Sequence, residues 1–171
     1  FKRALFERGK LKDQEDGKEK EQSNGTYVEF TPIEDLQEYK WHDEFIAKRL
    51  SYYCYLNAGL TIIYNGQSFQ SKNGLKDLLR HEIGEEPTHY EAFHDSGAKI
   101  EFTFTHTSTY GETYFSFVNG QYTNDGGTHL SAFREGILKG VNEFAKKNFA
   151  GEDVREGIVG AIAIKLQDPV F

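Results

Sequence analysis

Methionine is absent from all 171 residues, position 1 included, so the sequence as it stands reads as an internal piece of a longer protein. Cysteine is nearly absent too. Cys54 stands alone, which excludes an internal disulfide and suits a reducing cytoplasm. No stretch approaches the roughly 20 apolar residues of a membrane-crossing helix, and Phe1-Lys2-Arg3-Ala4-Leu5 lacks the apolar run of a secretory signal. No membrane partner is expected. Basic residues are the minority, 20 against 27 acidic, for a net charge of −7. That balance argues against a large non-specific phosphate-binding face, which needs clustered Lys and Arg, but leaves nucleic acid open as a partner of a larger whole. Catalytic signatures are missing as well: there is no phosphate loop, no dinucleotide glycine fingerprint and no Gly-x-Ser-x-Gly elbow.

What is present is apolar and aromatic. Hydrophobic residues make up 37% and aromatics 15%, with 14 Phe and 10 Tyr, too much apolar matter for a disordered chain. Residues 1–8 alternate weakly and predict a strand. Residues 9–24, carrying Lys10, Lys12, Asp13, Glu15, Asp16, Lys18, Glu19, Lys20 and Glu21, predict a solvated, mobile hairpin connection. Thr26-Tyr27-Val28-Glu29-Phe30 reads as a strand stopped by Pro32. Residues 43–57 predict a helix with Ile46, Leu50, Tyr53 and Cys54 on one face, stopped near Gly59. Thr61-Ile62-Ile63-Tyr64, then Asn65-Gly66, then residues 67–71 predict a hairpin. A short helix over residues 74–83 would turn Leu75, Leu78 and Leu79 inward.

Residues 84–97 are polar and form the candidate boundary between two units. Beyond them, Ile100, Phe102 and Phe104 alternate with Glu101, Thr103 and Thr105, the pattern of a half-buried strand. Thr113, Phe115 and Phe117 predict a second strand antiparallel to it. Leu130, Phe133, Ile137, Val141 and Phe144, widened by Leu138 and Ala145, form the apolar stripe of the longest helix, expected to lie on a sheet containing Phe102, Phe115 and Ile162. Residues 158–164 are almost all apolar and read as an interior strand covered on both faces. The sum is layered α/β, helices packed on sheet.

Few residues suggest chemistry. His81, His89 and His94 lie among Glu85, Glu86, Glu91 and Asp95, but without cysteine or a ligand spacing they read as a polar loop rather than a zinc site. Cys54, on an apolar helix face, reads as a buried inert thiol. Asn124-Asp125-Gly126-Gly127-Thr128-His129 opens the long helix. An anion site is one reading; the other, favoured because Asp125 places negative charge there, is a tight turn with Asp125 or Thr128 as cap. Gly151-Glu152-Asp153-Val154-Arg155-Glu156-Gly157 reads as a local ion pair fixing a turn, with an active acid pair as its rival. Residue chemistry alone determines no activity.

The string Ser116-Phe117-Val118-Asn119-Gly120-Gln121-Tyr122-Thr123-Asn124-Asp125-Gly126-Gly127-Thr128-His129 resembles the signature of bacterial type II DNA topoisomerase B subunits. Gly151 to Gly157, followed by Ile158 to Lys165 and Asp168-Pro169-x-Phe171, resembles a further block of that family. Upstream, Asn24-Gly25-Thr26 with Val28, Phe30 and Pro32, then Arg49-Leu50 and Leu56-Asn57-Ala58-Gly59-Leu60, match in the same order. The Asn-Gly-Gln-Tyr version is more similar to the topoisomerase IV branch than to the gyrase branch. The resemblance implies that residues 1–85 are the C-terminal part of a GHKL-type ATPase domain. Residues 86–171 would be the first part of a transducer domain, with a ribosomal-protein-like fold and a left-handed βαβ crossover. It implies ATP and Mg²⁺ as cofactors of the complete subunit, coupling of ATP to DNA strand passage, and three partners: DNA, a DNA-cleaving A-type subunit and a second ATPase region. Thr26 and Val28 match residues of the adenine pocket. The general base, the Mg²⁺ ligand and the glycine-rich lid would precede Phe1, and a Gln-Thr-Lys loop reaching the γ-phosphate would follow Phe171, so these residues alone are expected to be inactive. A non-catalytic interaction module, or part of another GHKL ATPase such as a mismatch-repair protein, is the alternative.

Overall fold

The computed structural model describes residues 1–18, 23–32 and 40–169. The chain forms two units, Phe1–His42 and Asp43–Phe171. In the first, β1 (Lys2–Glu7) pairs antiparallel with β2 (Lys10–Asp16). Arg8 and Gly9, at φ 48° and 74°, make the two-residue turn whose twist suits a hairpin. Most of the charged run expected to be a mobile connection is therefore a strand; Glu19, Lys20 and Glu21 lie outside the described residues. Cross-strand pairs such as Arg3 opposite Glu15 and Glu7 opposite Lys10 place opposite charges face to face, which lets a polar segment hold a ladder. The strand expected over residues 26–30 is not formed. Among the described residues no segment pairs with it, and Tyr27, Val28 and Phe30 are 84%, 77% and 68% exposed. Without a ladder partner, β-branched composition alone does not make a strand.

The second unit begins with α1 (Asp43–Leu56), which carries Asp43 and Glu44 in its first turn, where the helix dipole favours acids. Tyr52 and Cys54 are its buried residues. Tyr53, expected inside, is 39% exposed, and Tyr52 takes its place with its ring against Phe117 and Tyr122. The hairpin of β3 (Thr61–Tyr64) and β4 (Gln67–Gln70) forms as the Asn-Gly signal predicts, with Asn65 and Gly66 at φ 47° and 83°. In α2 (Leu75–Ile83), Leu75, Leu78 and Leu79 are fully buried. Its start is fixed by Asp77, whose carboxylate accepts the Lys72 and Asn73 backbone N–H groups at 3.1 and 2.9 Å and the Ser71 hydroxyl at 2.8 Å.

The five-stranded sheet consists of β5 (Phe93–Ser96), β6 (Ile100–His106), β7 (Thr113–Val118), β8 (Gln121–Tyr122) and β9 (Ile158–Ile164), in the order β5-β6-β9-β7-β8. β9 is central, antiparallel to β6 and parallel to β7. So β6 and β7 run in opposite senses, as expected, but are not neighbours. The segment expected to be a polar boundary contains the edge strand β5. Alternation along β9 sends Ile158, Ile162 and Ile164 to one face and Val159, Ala161 and Ala163 to the other. The small residues face α2, and residues from both sides of position 85 (Tyr52, Leu75, Leu78, Leu79, Phe115, Phe117 and Ala161) share one core.

The opposite face is covered by α3 (Thr128–Ala145), followed by the short α4 (Gly151–Arg155). Phe133 and Ile137 pack on Ile158 and Ile162, with Phe102, Phe104 and Tyr114 around them. A Cβ on Gly160 would lie 3.2 Å from the Phe133 ring, so this glycine lets the ring settle on the central strand. The sheet contains Phe102, Phe115 and Ile162, as expected, with Phe115 on the face toward α2. Two expectations change here. Val141 and Phe144 are 36% and 92% exposed, so the stripe is buried only in its first half. On β6 the threonines are the more deeply buried residues: Thr103 and Thr105 face away from α3, and their hydroxyls donate to the Phe93 and Tyr90 carbonyls at 2.8 Å each. A satisfied hydroxyl removes most of the penalty of burying it.

Candidate functional site

Thr26 and Val28 lie in a segment of the first unit without regular secondary structure, on exposed surface. Nearby, the Tyr27 hydroxyl donates to Glu29 at 2.8 Å, and the Phe30 ring meets Trp41 edge-on at 5.6 Å.

The glycine turn before α3 is built by backbone shape. Gly126 and Gly127 have φ of 71° and 143°, and a Cβ on Gly126 would lie 2.9 Å from Leu130 Cδ2. Gly127 is the N-cap and no side chain caps the helix, so the expected capping by Asp125 or Thr128 is not made. The fixing bonds come from the strands instead. The Gly126 N–H donates to the Thr123 carbonyl at 3.1 Å, and the Ser116 and Thr123 hydroxyls are 2.6 Å apart. Thr123 Oγ1 lies 3.3 Å from His129 Nε2. Burial holds the His129 imidazole below its ordinary proton affinity, which favours the neutral ring.

A second cluster ties α3 and α4 to the sheet. Glu112 accepts from Arg134 Nε and a terminal nitrogen at 2.9 and 2.8 Å, and from Arg155 Nε at 3.1 Å. Burial would raise the Glu112 carboxyl, but Arg134, Tyr114 and Arg155 outweigh it and hold the group below the ordinary carboxylate range. Arg155 thus pairs across 43 residues rather than with its neighbours Glu152 and Asp153, which corrects the expected local pair. Glu156 instead accepts the Gly111 N–H at 3.0 Å. The Tyr114 hydroxyl is buried beside Glu112; burial first, and hydrogen bonding to the Glu112 carboxylate second, make its proton hard to remove. Gly111, Glu112, Tyr114, Arg134, Glu152 and Glu156 line an open cleft of about 420 Å³. It offers a carboxylate already satisfied by two guanidiniums, not a base poised to take a proton.

A contact that sequence reasoning missed joins Asn119 to Leu166. The carboxamide donates to the Leu166 carbonyl and accepts the Leu166 N–H, both at 2.9 Å. The Asn-Gly dipeptide signals the turn, but nothing local signals a partner 47 residues away. The other candidates behave as polar or inert groups. His94 bonds Glu101 at 3.1 Å, His81 lies beside Glu82, and among the described residues no group of His, Cys, Asp and Glu is arranged to hold a metal ion. Cys54 is 1% exposed, and burial pushes its thiol up, away from the nucleophilic thiolate. No helix among the described residues is long and apolar enough to cross a membrane.

Comparison with known proteins fits this geometry. The family model described as DNA gyrase B matches residues 68–171. The B subunit of Borreliella burgdorferi DNA topoisomerase 4 is 47% identical over 98% of this chain and 28% of its own length. The B subunit of Clostridium acetobutylicum DNA gyrase is 29% identical over 86% of this chain and 27% of its own. Among solved structures, the 43K ATPase domain of Thermus thermophilus gyrase B superposes with a TM-score of 0.66 at 26% identity, covering 79% of this chain and 42% of that one. The chain thus spans little more than a quarter of the length of these curated relatives. With the family model matching more than half of its residues, the chain belongs to the DNA gyrase B family, the B subunits of type II topoisomerases.

Proposed function

We propose that the chain is a coupling segment of the ATP-driven subunit of a type II DNA topoisomerase, linking ATP binding and hydrolysis to DNA strand passage. The observation that carries this is the superposition of 79% of the chain on the ATPase domain of a gyrase B. The greater identity to the topoisomerase 4 relative than to the gyrase relative favours the topoisomerase IV branch. Residues 1–85 are read as the C-terminal part of a GHKL-type ATPase domain and residues 86–171 as the first part of a transducer. Packing nevertheless joins α2 to the sheet beyond that division. Thr26 and Val28 supply one wall of the adenine pocket, which other parts of the subunit complete. Mg²⁺ is read as a cofactor of the complete subunit, held by other parts of it; among the described residues no group of His, Cys, Asp and Glu is arranged to hold a metal ion. The partners are DNA, a DNA-cleaving A-type subunit and a second ATPase region.

Phosphate-ester hydrolysis depends on several groups positioned together, so one wall of a pocket gives almost no rate. The full-length subunit should hydrolyse ATP and, with its A-type partner, change the linking number of supercoiled DNA; residues 1–171 alone should do neither. Steady-state ATPase and plasmid relaxation assays on both decide the matter. Substantial turnover by residues 1–171, or none by the full-length subunit at concentrations that allow dimerisation, overturns the reading.

A further inference from the structure

Asn119 and Gly120, at φ 49° and 82°, form the two-residue turn between β7 and β8, and any pair tolerant of positive φ would serve that turn. The Asn119 side chain does something else. Its Nδ2 donates to the Leu166 carbonyl and its Oδ1 accepts the Leu166 N–H, both at 2.9 Å, while its backbone N–H donates to the Ile164 carbonyl at 2.9 Å. A carboxamide facing one residue's peptide groups in this way imitates a neighbouring strand, so Leu166 stays paired after β9 has ended at Ile164. On the other side the Lys165 N–H donates to the Lys99 carbonyl at 2.8 Å. Two residues beyond the clamp, Asp168 has φ 51° directly ahead of Pro169, a residue pair that redirects the chain. Clamp and bend together set the direction in which the backbone leaves the sheet.

The same hairpin also holds the start of α3. The Thr123 N–H donates to the Ser116 carbonyl at 2.9 Å, and Thr123 Oγ1 reaches His129 in the first turn of that helix. One end of the β7–β8 hairpin thus grips the chain leaving β9, and the other grips the chain entering α3. We propose that Asn119 is a positioning residue that sets the path of the chain beyond β9, and that ATP turnover by the full-length subunit depends on that path. The second half rests on the reading of the chain as part of an ATP-driven subunit; the first half does not.

The test uses the full-length subunit with two substitutions. Asn119→Gly keeps the positive-φ turn and removes the carboxamide. Asn119→Asp keeps an acceptor for the Leu166 N–H but sets a carboxylate against the Leu166 carbonyl. Residue-resolved hydrogen exchange should show the Leu166 amide exchanging about tenfold faster in Asn119→Gly, with Ile162 and the melting temperature close to wild type. ATPase kinetics should show kcat reduced several-fold at a nearly unchanged KM for ATP, with Asn119→Asp intermediate in both readouts. Unchanged Leu166 exchange in Asn119→Gly overturns the clamp. Faster exchange with wild-type kcat overturns the dependence of turnover on it. A wild-type subunit without ATPase activity overturns the functional reading and the turnover half with it, and Leu166 exchange then decides the positioning half alone.

Discussion

At Gly157 a Cβ would sit 2.4 Å from the Thr107 carbonyl oxygen, and φ is 75°. The Thr107 N–H also donates to the Gly157 carbonyl at 2.8 Å, so neither backbone can retreat without breaking the pair. Gly157→Ala should therefore cost about 3 kcal/mol or more in a urea unfolding titration, combining the wrong φ with a backbone clash. Gly136, mid-helix in α3 with open space around its Cβ position, is the control: Gly136→Ala should be neutral or raise stability by up to about 1 kcal/mol. Glu112 gives a pH signature. Its folded proton affinity lies below the ordinary 4.5, so unfolding takes up protons as the solution is acidified. The stabilisation is complete above the ordinary glutamate range and is lost as pH falls through the depressed folded value. Glu112→Gln should narrow its stability gap from wild type as pH drops from 6 toward that value. A gap that is the same at every pH, measured by unfolding midpoints, would show that the two guanidiniums do not act through the carboxylate charge.

At the scale of the element, α3 shows that a helical period does not say how much of a stripe will be covered. Phe133 and Ile137, in its first half, meet Ile158, Ile162 and the β6 phenylalanines, whereas Val141 and Phe144 nearer its end are 36% and 92% exposed. Phe133→Ala should cost about 3–5 kcal/mol, as for other aromatic core truncations. Phe144→Ala, at a residue 92% exposed, should stay within about 0.5 kcal/mol of wild type. Paired denaturant titrations of the two variants check this, and equal losses would mean that the distal half of the stripe is covered in solution. Tyr52 and Tyr53 on α1 make the same point. Adjacent aromatic residues both suit a core, and only the position of Phe117 and Tyr122 selects Tyr52.

For the whole molecule, the proposed nucleotide role concentrates on one exposed segment. In the full-length subunit, Thr26→Ala should weaken ATP binding about fivefold, the scale of one lost hydrogen bond, and leave the unfolding midpoint unchanged because Thr26 is exposed. Nucleotide titration of wild type and variant measures this; equal affinities would remove Thr26 from the pocket. In the second unit, the five-stranded sheet is sandwiched between α2 and α3, and no residue of its central strand is exposed.

Much of this architecture was determined by the sequence alone. Asn-Gly located the β3–β4 turn, helical spacing placed α1, α2 and α3, and the unbroken apolar run of β9 announced a strand covered on both faces. The ordered blocks around Gly126-Gly127-Thr128-His129 were enough to identify the family. These signals are local: they depend on backbone conformation and on which residues share a face. Tertiary structure decided the order of the strands, the separation of β6 from β7 by β9, and the burial of Thr103 and Thr105. It also decided the convergence of Arg134 and Arg155 on Glu112 and the hold of Asn119 on Leu166. Periodicity states that a face is apolar without stating what will cover it. A hydrogen bond between residues 22 to 47 positions apart leaves no trace in the spacing of either partner.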